Sequence, residues 1–369
     1  MPTQPDLICF SHLRWRWVYQ RPQHLMTRAA RDRRVFVVEE PVRCAGPATM
    51  QREMVHNGVT VVRPHIPFEA GLADLVHVQR LLLDVWCNED AVDPGTLWYY
   101  TPQALPFSSH LRAKLTVYDC MDELTAFAGA RPELKLLERQ LLARADVVFT
   151  GGYSLWEAKR SLHHNVHAMP SSVDAEHFRA ARTLTSEPAD QRDIPHPRIG
   201  YCGVIDERLD LSLIAEMAES RPEWHFVFVG PVTKISVLSL PKGANLHYLG
   251  ARDYSELPAY LAAWDVAMLP FARNEATRFI SPTKTPEYLA AGRHVVSTPI
   301  CDVVRTWGAR GMVRIAETPD AFVDAIARAL RDADPNRLAR VDRELADDTW
   351  DHTWRRMQDA MANAALRVA

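Results

Sequence analysis

Short runs of β-branched and aromatic residues alternate with helical patterns along most of the chain. In the first half the apolar runs predict strands over 7–10, 34–39, 59–63, 97–100, 115–119 and 146–150, with helices over 20–30, 72–88, 132–145 and 154–161. The pattern then restarts. Strands are predicted over 198–204, 224–230, 245–249, 265–269, 295–298 and 312–315, and helices over 209–220, 255–263, 286–291 and 321–332. Near-continuous apolar strands alternating with helices imply parallel sheets covered on both faces. The stretch 180–197 carries Pro188, Pro195 and Pro197, is polar, and has no apolar period, so it reads as a linker. The expected fold class is α/β, with two doubly wound Rossmann-like domains facing a cleft: 1–180, a linker at 181–197, and 198–347.

Length and composition agree with two domains. The chain has 369 residues, 47% hydrophobic and 24% charged, enough to fill two cores. Its 43 basic and 46 acidic residues give a net charge of −3, which argues against a nucleic-acid binder held by overall electrostatics. Six cysteines are scattered without a CxxC pair or metal-type spacing, and several lie in apolar runs. They read as core thiols ahead of a disulfide framework. The opening MPTQPDLICF lacks the features of a secretory signal, and no run approaches the roughly 18 apolar residues of a spanning helix. A cytoplasmic location is expected.

In doubly wound sheets, ligands bind beyond the carboxyl ends of the strands. The richest such loop is 271–285, long for a connection between a strand and a short helix. Thr285 suits the N-cap, Pro286 the first helical position and Gly292 the exit. That helix start would offer N–H groups and a positive dipole end to a diphosphate, with Lys284 as a neighbouring cation. The alternative is a solvated lysine beside an ordinary cap. Glu287, in the first turn, reads either as a dipole partner or as an acceptor for ribose hydroxyls. Gly203 ends the second domain's first strand, but 203–208 is not a GxGxxG loop, so an oxidoreductase-type pyrophosphate cradle is poorly supported. Arg208 can reach the same phosphates, or it pairs with Asp206 or Asp210. Gly230-Pro231 and Gly250-Ala251-Arg252 close two more strands with small residues that let a backbone approach a nucleobase.

Three segments of the second half carry a family resemblance. NLHYLGARDYSELPAYLAAWDVAMLPF, PTKTPEYLAAGRHVVSTP and MPSSVDAEHF are together similar to the retaining GT-B glycosyltransferases of family 4, over most of residues 140–310. The N-terminal phrase FSHLRW…QRPQHL resembles a bacterial polysaccharide subgroup of the teichuronic-acid type. The resemblance implies that Glu287 holds the ribose. It also implies that Ile280, Ser281, Pro282 and Thr283 surround the diphosphate beside Lys284, although Pro282 has no N–H to offer. Arg208 matches the family's phosphate-binding arginine after a one-residue adjustment, and the lysine that usually follows is missing. The family's first glutamate falls on Phe279, so Glu275 is the candidate to contact the sugar. Where many members carry a histidine at the end of a first-domain strand, this chain offers Asp119 and Asp122. Either would orient the acceptor hydroxyl or stabilise charge at the sugar carbon, or both cap the following turn. A last helix, 348–366, is expected to cross back onto the first domain, and core packing rather than sugar stacking explains its Trp350 and Trp354.

What the resemblance implies as a whole is a hexosyltransferase-like enzyme of cell-surface polysaccharide or glycolipid synthesis. Its donor is a nucleotide-diphosphate sugar, UDP-sugar ahead of GDP-sugar, and its acceptor a saccharide or a lipid-linked one. It retains configuration because the leaving phosphate serves as the base, and it requires neither metal nor cofactor. An epimerase or hydrolase of the same fold, using Asp122 or Glu275, and a non-catalytic nucleotide-binding partner subunit are the alternatives. Residues 12–34 hold seven arginines against Asp32, interleaved with Trp15, Trp17 and Tyr19. Such a stretch suits an anionic membrane surface on the inner face or a lipid-diphosphate acceptor, or else forms a solvated basic helix face. His12, Arg14 and Arg21, just beyond the first strand, are the acceptor-side candidates.

Overall fold

The computed structural model describes residues 4–71 and 74–368. The predicted helix over 72–88 begins on two residues outside that range; the helix itself is described over Leu75–Glu89. The chain divides into two units. The first holds described residues 4–125, 129–169 and 353–368, and the second holds 126–128 and 170–352.

Among the described residues of the first unit, nine strands form one sheet: β1 (Asp6–Ser11), β2 (Val35–Glu39), β3 (Val42–Cys44), β4 (Thr49–Met54), β5 (Val59–Pro67), β6 (Pro94–Tyr99), β7 (Leu115–Cys120), β8 (Val147–Thr150) and β9 (Val166–Ala168). Their order is β3-β5-β2-β1-β6-β7-β8-β9, with β4 added antiparallel to β5. DLICFS, VFVVE, LTVYDC and VVFT are buried at every position, as parallel strands covered by helices on both faces must be. The chain winds outward from β1, then returns to lay β6 on its other side. Strand order therefore reverses between β1 and β6, the place where such sheets open a crevice.

The second unit repeats this scheme with six described strands: β10 (Arg198–Cys202), β11 (His225–Val229), β12 (Leu246–Gly250), β13 (Val266–Leu269), β14 (His294–Ser297) and β15 (Val313–Ile315). All are parallel, in the order β12-β11-β10-β13-β14-β15, so the reversal falls between β10 and β13. The helix Pro319–Arg331 shows why the covering helices form. The Thr318 hydroxyl caps the Ala321 N–H at 3.3 Å, Pro319 opens the first turn, and Phe322, Ala325, Ile326 and Ala329 bury one face at helical spacing.

Residues 181–197 belong to the second unit and are fastened to it by polar side chains as well as by the buried Ala181 and Ile194. Gln191 is fully buried; its amide donates to the Tyr260 carbonyl at 3.2 Å and accepts the Trp264 indole N–H at 2.8 Å. The final helix, Trp350–Val368, buries Trp354, Met357, Met361 and Ala364, with the Trp354 ring 6.1 Å from that of Trp98 in β6. All six cysteines are free thiols; Cys9, Cys120 and Cys202 are core residues, while Cys301 is exposed. No helix among the described residues is long and apolar enough to cross a membrane.

Candidate functional site

In the second unit the ends of β10, β11 and β12 are three glycines in a row. Gly203 N–H donates to Val229 O at 2.9 Å, and Gly230 N–H donates to Gly250 O at 2.8 Å. A methyl group on Gly230 would lie 1.9 Å from the Gly203 carbonyl oxygen, so the two loops are packed backbone against backbone. The helix Lys284–Ala290 is fixed to this edge by Tyr288. Its buried hydroxyl accepts the Cys202 N–H at 2.7 Å and donates to the Cys202 carbonyl at 3.1 Å. The first turn is thereby set over the end of β10, and the Lys284 stem passes within 3.6 Å of where a Gly203 side chain would begin.

The helix starts two residues before the predicted Pro286, and its N-cap is Thr283, without a side-chain capping bond. Thr285 is instead wholly buried in the first turn. The structure thus corrects the cap assignment, because the Thr285 side chain packs inward. With only seven residues the helix is too short for its dipole to dominate, and the charges of side chains set the electrostatics. Lys284 Nζ lies 3.0 Å from a Glu287 carboxylate oxygen. Burial pushes the Glu287 carboxyl above its ordinary range, while Lys284, His177 and Thr283 pull the other way. Burial works against the Lys284 charge too, but Glu287 outweighs it and holds the ammonium above its usual value. Ile280 is buried, and Ser281, Pro282 and Thr283 are half-buried on the approach to the helix.

Arg208 follows β10 in a tight turn. Its Nε and terminal nitrogen grip both oxygens of buried Asp206 at 2.8–3.1 Å, the ion pair that the sequence left as an alternative. Its charge also acts on Lys284, so the two cations share one electrostatic neighbourhood. Arg252 is engaged by neighbouring protein groups. Its guanidinium binds Asp190, the Tyr260 hydroxyl at 2.6 Å and the Ala251 carbonyl at 2.7 Å. The arginine braces 181–197, and the Ala251 oxygen is occupied. Glu275 is exposed on the rim, 3.7 Å from Arg278, whose guanidinium covers the Phe279 ring at 5.1 Å. His177 escaped the sequence reading. It stacks on Tyr254 at 4.4 Å, donates its Nε2–H to that residue's backbone oxygen at 2.9 Å, and adds its field to Glu287. Only its place inside MPSSVDAEHF could have signalled it.

In the first unit, two of the candidate residues lie in the interior. Arg21 and Asp119 are both fully buried and bind each other, with Nε 3.0 and 3.1 Å from the two carboxylate oxygens and a terminal nitrogen at 2.9 Å. Arg21 also donates to Met169 O at 2.7 Å. Both side chains are closed to solvent; together they tie the first turn of Arg21–Ala29 to β7, since an unpaired charge could not stay inside. Arg14 binds Glu39 and the carbonyl oxygens of Glu40 and Pro41, although its side chain is partly exposed. His12 is half-buried beside it, and Asp122 is half-buried in the turn after β7. Three further arginines of the basic stretch meet acids as well: Arg16 with Glu53, Arg33 with Asp32, and Arg34 with Asp6. The segment therefore carries less unbalanced charge than its sequence suggests.

At the reversal between β1 and β6 the first unit contains a cavity of about 430 Å³. Its wall mixes Ser11, Glu39, Thr101 and Glu133 with Phe107 and Leu134. No sequence signal pointed to it, because its lining comes from five separate stretches of chain.

Two parallel doubly wound units with these strand orders define the GT-B fold. Sucrose-phosphate synthase from Thermosynechococcus elongatus superposes with a TM-score of 0.70 at 15% identity, over 99% of this chain and 97% of that one. The α,α-trehalose 6-phosphate synthase from Burkholderia multivorans gives 0.69 at 13% identity, covering 100% of each chain. An Escherichia coli protein of the trehalose-6-phosphate group, solved with UDP-2-fluoro glucose, gives 0.70 at 13% identity over 96% of this chain and 99% of its own. More particularly, residues 196–332 match the family described as glycosyl transferases group 1. TuaH of Bacillus subtilis (strain 168), a protein named as a teichuronic acid biosynthesis glycosyltransferase, is 29% identical over 222 residues. That alignment spans 55% of this chain and 55% of the relative, about half the length of each.

Proposed function

We propose that the protein is a glycosyltransferase that takes a sugar from a nucleotide-diphosphate donor, UDP-sugar ahead of GDP-sugar, and attaches it to a saccharide or lipid-linked acceptor. The observation that carries this reading is the Lys284–Glu287 pair beside Gly203 and Arg208, inside the residues that match glycosyl transferases group 1. Glu287 accepts the ribose hydroxyls. Lys284 and Arg208 balance the diphosphate as it departs, which is the charge that develops in the transition state. Two side-chain cations at that point make a metal unnecessary. The departing phosphate takes the acceptor proton on its own face, so the anomeric configuration is retained.

The acceptor belongs in the first-unit cavity, where carboxylates suit sugar hydroxyls and Phe107 and Leu134 suit the faces of a ring. Likeness to TuaH supports a role in cell-surface polysaccharide synthesis. Titration calorimetry with UDP, GDP and uridine tests the donor site. Glu287→Ala should weaken the diphosphate that binds by about tenfold or more, as expected when a charged hydrogen-bond acceptor is lost. If the wild type takes up neither diphosphate, the reading fails.

A further inference from the structure

Past the ends of β10 and β11 the two chains continue side by side. Ile205 N–H donates to Pro231 O at 2.9 Å, Thr233 N–H donates to Ile205 O at 3.0 Å, and Ile205 pairs in parallel with Val232. On its other flank the 205–210 loop is held by Ala272 N–H on Arg208 O at 2.8 Å and by the Asn274 amide on Glu207 O at 3.1 Å. This double zipper sets the segment that ends in Lys234 against the turn that carries Arg208.

Residues 126–128 belong to the same unit. The Ala128 N–H donates to a Glu207 carboxylate oxygen at 3.2 Å, which fixes the Phe127 ring beneath both cations. Lys234 Nζ lies 4.3 Å from the ring centroid, and the Arg208 guanidinium carbon lies 5.9 Å from it. Arg208 has Asp206 to offset its charge and Lys284 has Glu287. Lys234 is exposed, and among the described residues it has no carboxylate partner. Its backbone is also unusual. Lys234 sits at φ 61°, a left-handed conformation that residues other than glycine rarely adopt and that tends to persist where a site requires it. Two like charges held over one aromatic face repel each other and gain when an anion settles between them.

We propose that Lys234 is a phosphate-binding residue of the donor site, acting with Arg208 on the nucleoside diphosphate, and that Phe127 holds the two cations side by side. Resting on the donor reading above, this assigns to the β11 loop a cation that the sequence lacks in the stretch after Arg208.

The test compares Lys234→Asn, which tolerates the left-handed backbone without the charge, with Lys234→Arg, which keeps the charge. Calorimetry is run with UDP, GDP and uridine. Lys234→Asn should lose about tenfold in affinity for the diphosphate that binds, the scale of one charge-assisted contact, with uridine unchanged. Lys234→Arg should recover most of the loss, and Phe127→Ala should fall between the two. Equal diphosphate affinity in Lys234→Asn and wild type overturns the assignment, as does a parallel loss for uridine, which would mark a structural defect. If Lys284→Ala weakens the diphosphate while Lys234→Asn does not, the donor site stands and Lys234 is no part of it. If the wild type binds neither diphosphate, both readings fall together.

Discussion

His294 opens β14 with its imidazole largely withdrawn from water. Burial lowers its pKa to about 4, the charges of Arg337 and Arg314 add to that effect, and Asp332 at 3.9 Å opposes it. An unfolded histidine titrates near pH 6.5. Because the folded value lies below the unfolded one, the neutral ring's contribution is complete above about pH 6.5 and is lost as pH falls toward 4, at about 1.4 kcal/mol for each unit. His294→Gln should therefore flatten the decline in melting temperature between pH 7 and pH 4.5, as followed by circular dichroism; identical slopes would refute this. Whether such charge relations can be read from sequence depends on separation along the chain. Arg208 and Asp206 lie two residues apart, so spacing alone offered that pair; Lys284 and Glu287, three residues apart, were each read singly, although their spacing also allows the pair that the structure forms. Arg21 and Asp119 are 98 residues apart, and nothing local shows that a basic residue in an arginine-rich stretch will end inside the first unit.

At the scale of elements, the strand ends carry the greatest constraint. Gly230→Ala would put a methyl group 1.9 Å from the Gly203 oxygen on a backbone at φ 149°, forcing β10 and β11 apart where the donor loops begin. Urea unfolding should show a loss of more than about 3 kcal/mol, in the range of severe backbone conflicts, or no cooperative second-unit transition at all. The buried parallel strands were legible because both of their faces are apolar. β4 was not, since TMQREM lies along the edge with every residue exposed or half-buried, leaving no hydrophobic alternation to detect. The helix after β13 was located but begun late. Pro286 marks a first turn in general, whereas here the burial of Thr285 draws the start back to Lys284.

For the whole molecule, the restart of the strand–helix pattern after residue 197 made two doubly wound units readable. The first-unit cavity was not readable, because it depends on which strand ends become neighbours. The first unit also draws on the last part of the chain, where Thr353, Trp354, Met357 and Met361 are buried. Removing residues from 353 onward should uncover Trp98 and its surroundings. Scanning calorimetry should then lose one transition while the second unit's remains, and retention of both would contradict this division. A ribosome makes proteins from the amino end, so the half whose synthesis starts first is the last to be completed. Residues 170–352 can fold as soon as they emerge, while the earlier strands wait with an open apolar flank for the closing helix, the interval in which a chaperone has most to protect.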